Sequence, residues 1–267
     1  MSPLLEVKNL SKNYTHKAHF LPGKQVSALS DISFTLARGE ILAIMGETSS
    51  GKSTLAKIVA GVETPSSGDI WVNGQRLEKH NYRQRCQVIR MVFQDSDASL
   101  NRQLTIGEQL DEPLRFNTDL VATERRRRIR EVLQRVGLLA EHAEFFPHML
   151  ATGQKQRVAI ARAILLEPQI VVADEALAAL DPSVRAQIIN LLLDLQQDMG
   201  ISYIFVSHSA EIVKHIADKI LVLQHGKIVE FKETAALFDA PTDDYIERLL
   251  VTSGHIKQQV DKYAKEQ

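Results

Sequence analysis

Short apolar runs alternate with amphipathic stretches along most of this chain, and the alternation predicts its elements. "LLEVKNL" alternates weakly and reads as a strand, and "ISFTLARGEILAIMG" reads as two strands joined at the Arg38-Gly39 turn. A glycine-bearing loop follows, then "STLAKIVAG" as a helix stopped by Gly61. "GDIWVNG" is a short strand bounded by glycines, and "IRMVFQ" is an apolar strand. From Asp95 to about Leu150 the texture becomes helical, with Ile129, Val132, Leu133 and Val136 at helical spacing. "LLEPQIVVADEALAALD" predicts a buried strand ending in acids. "PSVRAQIINLLLDLQQDMG" predicts a helix with Pro182 in its first turn and Gly200 past its end. "ISYIFVSH" and "KILVLQHGKIVE" supply further strands, and "TAALFDAP" reads as core rather than as a membrane-binding stretch. Strands alternating with helices predict an α/β core with a mainly parallel sheet, carrying a helical insertion over about 95–160. The stretch from about Asp239 is polar and reads as a helical appendage.

Composition narrows the function classes. A length of 267 residues with 44% apolar residues is enough for one large domain with a buried core. The net charge of −1 gives no basic field for nucleic acid or acidic lipid. Cys86 is the sole cysteine, which excludes an internal disulfide, a cysteine-only zinc site and an iron–sulfur cluster, and fits a reducing compartment. No secretory signal is expected at "MSPLLEVKNLSKNY", and no run approaches the roughly 18 apolar residues that span a bilayer.

The candidate chemistry begins at "GETSSGKST": Gly46, Glu47, Thr48, Ser49, Ser50, Gly51, Lys52, Ser53 and Thr54. The run matches G-x-x-x-x-G-K-[ST]. Glycines let successive backbone N–H groups turn onto phosphate oxygens, Lys52 reaches the β- and γ-phosphates, and the Ser53 hydroxyl can ligate Mg²⁺. A helix starting there points its positive end at the anion. The alternative, a chance glycine turn, lacks the strand before and the helix after that this match has. Asp174 and Glu175 end the strand in "IVVADE", where one acid can hold Mg²⁺ through water and the next can polarise an attacking water. Acids after an apolar strand are most often structural, but the upstream loop favours function. His208, after "YIFVS", and Gln94, ending "MVFQ", are candidates on the same strand-end logic. "ERRRRIR" suggests nucleic acid at first sight; acids around it and Ile129 on the apolar stripe make it a solvated helix face.

The order of these motifs, with "LATGQKQR", "VVADEALAALD" and "VSH", resembles that of ABC-transporter ATP-binding subunits over nearly the whole chain. That resemblance implies a RecA-like P-loop NTPase core, an N-terminal antiparallel β subdomain and a helical insertion subdomain within one domain over 1–250, with a polar tail at 251–267. It implies ATP and Mg²⁺ as ligands. Tyr14 takes the place of the aromatic that stacks on adenine, Gln94 contacts Mg²⁺ and the attacking water, and Asp174 is the metal-side acid. Glu175 is the catalytic base, Asp181 an acid of the dimer contact, and His208 the γ-phosphate sensor. Leu150 to Gln154 is the signature that closes over the nucleotide of the opposing subunit, bringing Ala151, Gly153 and Gln154 to it. "FQDSDASLNRQLTIGEQLDEPL" and "VGLLAEHAEFFPHMLATGQKQR" resemble the dipeptide and oligopeptide branch. Within it the chain looks most like the second ATPase of a peptide uptake system associated with resistance to antimicrobial peptides. The implied partners are a second related ATPase, two membrane permease subunits and a periplasmic peptide-binding protein, with this chain peripheral on the cytoplasmic face of the bacterial inner membrane.

Two loops depart from the family pattern. Ser49 stands where the family usually has Gly, at a place where a positive φ costs a serine roughly 1 kcal/mol or more. Ala151-Thr152-Gly153 stands for the usual Ser-Gly-Gly, so the hydroxyl that would bond the opposing γ-phosphate is missing. Two other classes compete: a soluble ABC ATPase of translation or DNA repair, and a nucleotide-binding regulator without turnover. The first usually carries two cassettes or a long insertion with zinc-type cysteines, and the second is favoured by loss of Lys52, Glu175 or His208. This chain has one cassette and one cysteine and keeps all three residues.

Overall fold

The apolar runs become strands and the 3.6-period stretches become helices in the computed structural model, which describes residues 2–18, 21–78, 81–241 and 244–253. In chain order the elements are β1 (Leu5–Ala18), β2 (Leu21–Leu36), β3 (Ile41–Met45), α1 (Lys52–Ala60), β4 (Ser67–Val72), β5 (Gln75–Arg76), α2 (Tyr82–Val88), β6 (Ile89–Val92), α3 (Ile106–Asn117), α4 (Ala122–Arg135), α5 (Thr152–Ile164), β7 (Ile170–Asp174), α6 (Pro182–Met199), β8 (Ser202–Val206), α7 (Ala210–Ile216), β9 (Lys219–Gln224), β10 (Lys227–Glu233), α8 (Thr234–Asp239) and α9 (Asp244–Thr252). Short 3-10 turns cover Ala140–Glu144 and Pro147–Met149. The chain divides into two compact units, one from Met1–Glu78 with Ile204–Gln267 and one from Lys79–Tyr203.

In the first unit β1 pairs antiparallel with both β2 and β4, in a sheet of order β2-β1-β4-β5. Leu5, Val7 and Leu10 bury themselves completely or nearly so on its inner face. β3 runs parallel to β9, Leu42 opposite Lys219 through Met45 opposite Val222, and β10 returns antiparallel to β9. Every residue of "ILAIM" is buried, as a parallel strand covered on both faces requires. Ala43, Met45, Val213, Val222 and Leu237 pack together with Tyr245, Ile246, Leu249 and Leu250 of α9. This corrects the expected polar appendage: α9 is helical, but its apolar face completes a core while Asp244, Glu247, Arg248 and Thr252 face outward. Residues 254–267 of the expected tail lie outside the described residues.

In the second unit β6 runs parallel to β7, Ile89 opposite Ile170 through Val92 opposite Ala173. The helical expectation over 95–160 is met by α3, α4 and most of α5. Thr105 and Glu108 form a reciprocal capping box at the start of α3, where Glu108 accepts from the Thr105 N–H at 2.7 Å. That N–H, and then the Thr105 hydroxyl, hold the Glu108 carboxyl below its ordinary range. On α4, Ile129, Val132 and Leu133 are buried while the arginines on either side of Ile129 stay in solvent or half-buried, so the basic run is a solvated face. Asp181 caps α6 by accepting from Val184 N–H at 3.0 Å, with Pro182 in the first turn and Gly200 left-handed at the end. The architecture is mixed α/β, with an antiparallel N-terminal sheet and a parallel sheet, as expected.

Candidate functional site

The glycine loop leaves the buried end of β3 and opens directly into α1. Its glycines are needed where they stand. Gly46 has φ 149°, and a Cβ there would collide with Leu223 O. Gly51 has φ 107°, and a Cβ would meet Ala28 O and a Leu29 methyl at 2.7 Å each. The loop is thus pressed onto the backbone of β2 and the end of β9, and Gly226 N–H donates to Ser50 O at 3.0 Å behind it. Ser49 sits at φ 66°, in the left-handed region that the substitution of a usual glycine made suspect. Lys52 is only 4% exposed, and its ammonium donates to Gly46 O at 2.9 Å and Glu47 O at 2.8 Å. The Ser50 hydroxyl is buried without a partner, and an orphan of that kind calls for one from outside the chain. A cradle that excludes side chains, a buried ammonium and a helix N-terminus together suit an anion of phosphate type.

Ser53 and Thr54 begin α1 half-buried. His208 lies exposed between β8 and α7, and the preceding residue, Ser207, donates its N–H to Ile44 O at 3.3 Å. That bond brings His208 to the strand edge from which the glycine loop springs two residues after Ile44. Tyr14 is half-buried on β1 opposite Val26, with Lys12 Nζ 4.9 Å from its ring centroid. Glu63 and Thr64 O anchor the Lys12 ammonium there.

The remaining candidates belong to the second unit. Asp174 is buried at the end of β7, and Glu175 follows with φ 48°. A left-handed glutamate costs on the order of 1–3 kcal/mol, and such strain collects at functional positions. Gln94 Nε2 donates to Glu175 Oε2 at 3.2 Å, so these two candidates meet directly. The segment after Gln94 is tied down by α5: Lys155 pairs with Asp97, and Arg162 donates to Ser99 O at 2.7 Å and Ser99 Oγ at 3.0 Å. Lys155, and after it Arg102, hold the Asp97 carboxyl below its ordinary range. Burial draws the Arg162 guanidinium below its own. Neither anchor was signalled by the sequence, because each spans about sixty residues of chain.

The signature segment forms the start of α5. Leu150 is buried, Ala151 is the N-cap, and Thr152 is exposed at the first helical position. Gln154 Oε1 accepts from Ala151 N–H at 3.0 Å, but alanine offers no oxygen in return. Gly153 packs against α6, where a Cβ would meet Val184 Cγ1 at 2.7 Å. Ala151→Ser is therefore expected to complete the cap and raise stability by about 1 kcal/mol, or about 2–4 °C in Tm. Calorimetric melting checks this, and an unchanged Tm would show that the cap is not short of an acceptor.

A single family model, described as ABC transporter, matches residues 29–178, a span that includes the glycine loop, Gln94, the signature and Asp174-Glu175. The chain belongs to the ABC transporter family. This ABC protein is 47% identical over 252 residues to the peptide transport system ATP-binding protein SapF of Escherichia coli O6:H1, covering 94% of this chain and 93% of that one. The same identity and coverage hold for a relative in Escherichia coli K12 named as the putrescine export system ATP-binding protein SapF. The dipeptide transport ATP-binding protein DppF of Escherichia coli K12 is 43% identical, covering 93% of this chain and 75% of its own. Among solved structures, the ATP-binding cassette MJ0796 in a dimeric post-hydrolysis state with ADP and Pi superposes with a TM-score of 0.75 at 29% identity, covering 86% of this chain and 98% of that chain. The ABC protein therefore has the RecA-like P-loop fold expected of it and is an ATP-binding, ATP-hydrolysing subunit of the kind that works with permease subunits. Among the described residues no helix is long and apolar enough to cross a membrane.

Proposed function

We propose that this ABC ATPase energises a bacterial importer of peptides, with the residues 1–250 acting as one ATPase module. The observation that carries the reading is identity of 43–47% along nearly the whole chain with ATP-binding proteins of peptide systems. In this reading the N–H groups of Gly46 to Thr54 and the Lys52 ammonium hold the β- and γ-phosphates, and Tyr14 stacks on adenine by the ring face opposite Lys12. Ser53, Gln94 and Asp174 would hold Mg²⁺ together with phosphate oxygens. No group of three or more acidic, His or Cys side chains that could bind a metal alone occurs among the described residues. When bound, Mg²⁺ neutralises charge developing on the β- and γ-oxygens. Glu175 takes the proton of the attacking water, Gln94 orients Glu175 through its amide, and His208 donates to the γ-phosphate. Ala151, Gly153 and Gln154 close over the nucleotide of a second, related ATPase, with Asp181 in the dimer contact.

The wider assembly then has two permease subunits and a periplasmic peptide-binding protein, with this chain peripheral on the cytoplasmic face of the inner membrane. Docking is assigned to Gln94 and the segment Asp95–Pro113. Beside that segment, α3 and α4 border an open groove of about 720 Å³ lined by Glu108, Asp111, Glu112, Arg115 and Arg125. Charge reversal at Arg102 and at Glu112 is expected to uncouple transport while MgATP binding persists; transport at parent rates in both variants would move docking elsewhere.

Resistance to antimicrobial peptides is the associated phenotype in this reading. A polyamine cargo is the second reading, favoured by the putrescine system that contains the 47% identical relative from strain K12. The deciding experiment follows labelled peptide uptake and labelled putrescine efflux in cells with and without this chain, and identifies the permeases that co-purify with it from membranes. Loss of peptide uptake alone supports the first reading. Loss of putrescine efflux alone overturns it in favour of the second.

A further inference from the structure

Tyr245 lies on α9 inside the apolar cluster with Met45, Val222 and Leu249, and is 7% exposed. Its hydroxyl donates to Leu223 O at 3.1 Å and accepts from the Glu47 N–H at 3.3 Å. Both roles follow from the partners, since a carbonyl can only accept and an amide N–H can only donate. The amide it holds belongs to the peptide between Gly46 and Glu47, which is trans like every other described peptide. The far end of that same planar group, Gly46 O, accepts from Lys52 Nζ at 2.9 Å. In a trans peptide the N–H and C=O point in opposite directions. Tyr245 and Lys52 therefore grip one rigid plane from its two sides. Leu223 O, the acceptor of the tyrosine proton, is also the atom against which Gly46 is pressed so closely that a Cβ would collide. The hydroxyl thus fastens the loop to β9 at their closest approach.

We infer that Tyr245 is a positioning residue of the ATPase. It sets the Gly46–Glu47 peptide plane, and through its carbonyl the Lys52 ammonium. The aromatic ring serves the core, and the hydroxyl serves the loop. The inference rests on the reading that this loop holds nucleotide phosphates.

The test compares three variants of the full chain by titration calorimetry with MgATP, each with its melting curve. Tyr245→Phe keeps the ring and removes the oxygen. It is expected to weaken MgATP binding about fivefold, the scale of one net hydrogen bond, and to lower Tm by only about 2–4 °C, as loss of one buried bond does. Amide exchange of residues 46–50 should quicken while that of β3 does not. Leu250→Ala opens a cavity in the same cluster without touching the hydroxyl, and is expected to lower Tm while its Kd stays that of the parent. Lys52→Ala reports on the underlying reading alone: parent-like binding there would remove the phosphate role of the loop, whatever Tyr245→Phe does. With Lys52→Ala impaired, an unchanged Kd in Tyr245→Phe overturns the positioning role. So does weakening in Leu250→Ala equal to that in Tyr245→Phe, which would trace the effect to core packing. Failure of Tyr245→Phe to fold would make the hydroxyl a requirement of the core and overturn the inference as well.

Discussion

Lys52→Ala is expected to abolish measurable binding of MgATP while the chain still folds. The ammonium is buried and already aimed by two carbonyls of its own loop, so little ordering remains to be done when phosphate arrives. Each hydrogen bond from a charged group to a phosphate oxygen is worth about 1.5–3 kcal/mol. Loss of contacts to two phosphates then costs about 3–6 kcal/mol, or roughly two to four decades in Kd. Arginine is not expected to rescue, because the site is enclosed and the guanidinium is broader than an ammonium. The fold should survive, since α1 keeps its buried face of Leu55, Ala56, Ile58 and Val59 and its left-handed Gly61 end. Calorimetry with MgATP beside a melting curve decides it, and a Kd within threefold of the parent would take Lys52 out of the site.

The features of the site that could be read in the sequence are those whose chemistry is local. Gly46 and Gly51 are demanded by positive φ and by backbone contacts that leave no room for a Cβ, and Ser49, flagged because the family resemblance puts a glycine there, has a positive φ in the structure. "ILAIM" and "IVVAD" are buried at every residue, and a continuous apolar run can mean little else beside such a loop. The first strand runs well beyond "LLEVKNL". Its alternation fails after Leu10, where register shifts at Val7/Leu10 and Leu10/Lys12 carry β1 on to Ala18. Helix α2 has seven residues, too few to display a helical period. Helix α9 departs from its expected polar character for a different reason: mean polarity conceals a narrow apolar stripe. Tyr245, Ile246, Leu249 and Leu250 are spaced as one helical face, and that spacing was the available signal. The hydrogen bond from Glu47 N–H to the Tyr245 hydroxyl is not legible in the sequence, because the two residues are 198 apart.

Replacing Glu175 by Gln should leave MgATP bound and stop turnover at the site this chain's own loop builds. The substitution is nearly isosteric and keeps a residue that must tolerate φ 48°, so the local backbone is not relieved or strained further. Gln94 can still donate to the remaining carbonyl oxygen. What is lost is the base, worth about two to four decades in rate. The same substitution in the second ATPase of the complex should matter much less. The partner's nucleotide would be closed by this chain's signature, and Ala151 there brings no hydroxyl, while Thr152 adds a branched, exposed side chain at the first turn of α5. A missing hydrogen bond to a charged phosphate costs about 1.5–3 kcal/mol, so the partner's site should already run about tenfold or more slowly. Turnover of the assembled transporter is then carried by the site made from Lys52 and Glu175 and the partner's signature. A homodimer of this chain would hold two weakened sites, which favours a heterodimer as the working form. The measurement is ATP turnover with the base-to-amide change made in each ATPase separately. Equal losses would defeat the asymmetry, and so would full turnover by this chain purified as a homodimer. If the asymmetry holds, Ala151→Ser combined with Thr152→Gly should raise the dependence of turnover on the partner's base, because it restores the signature that closes over that base's own nucleotide.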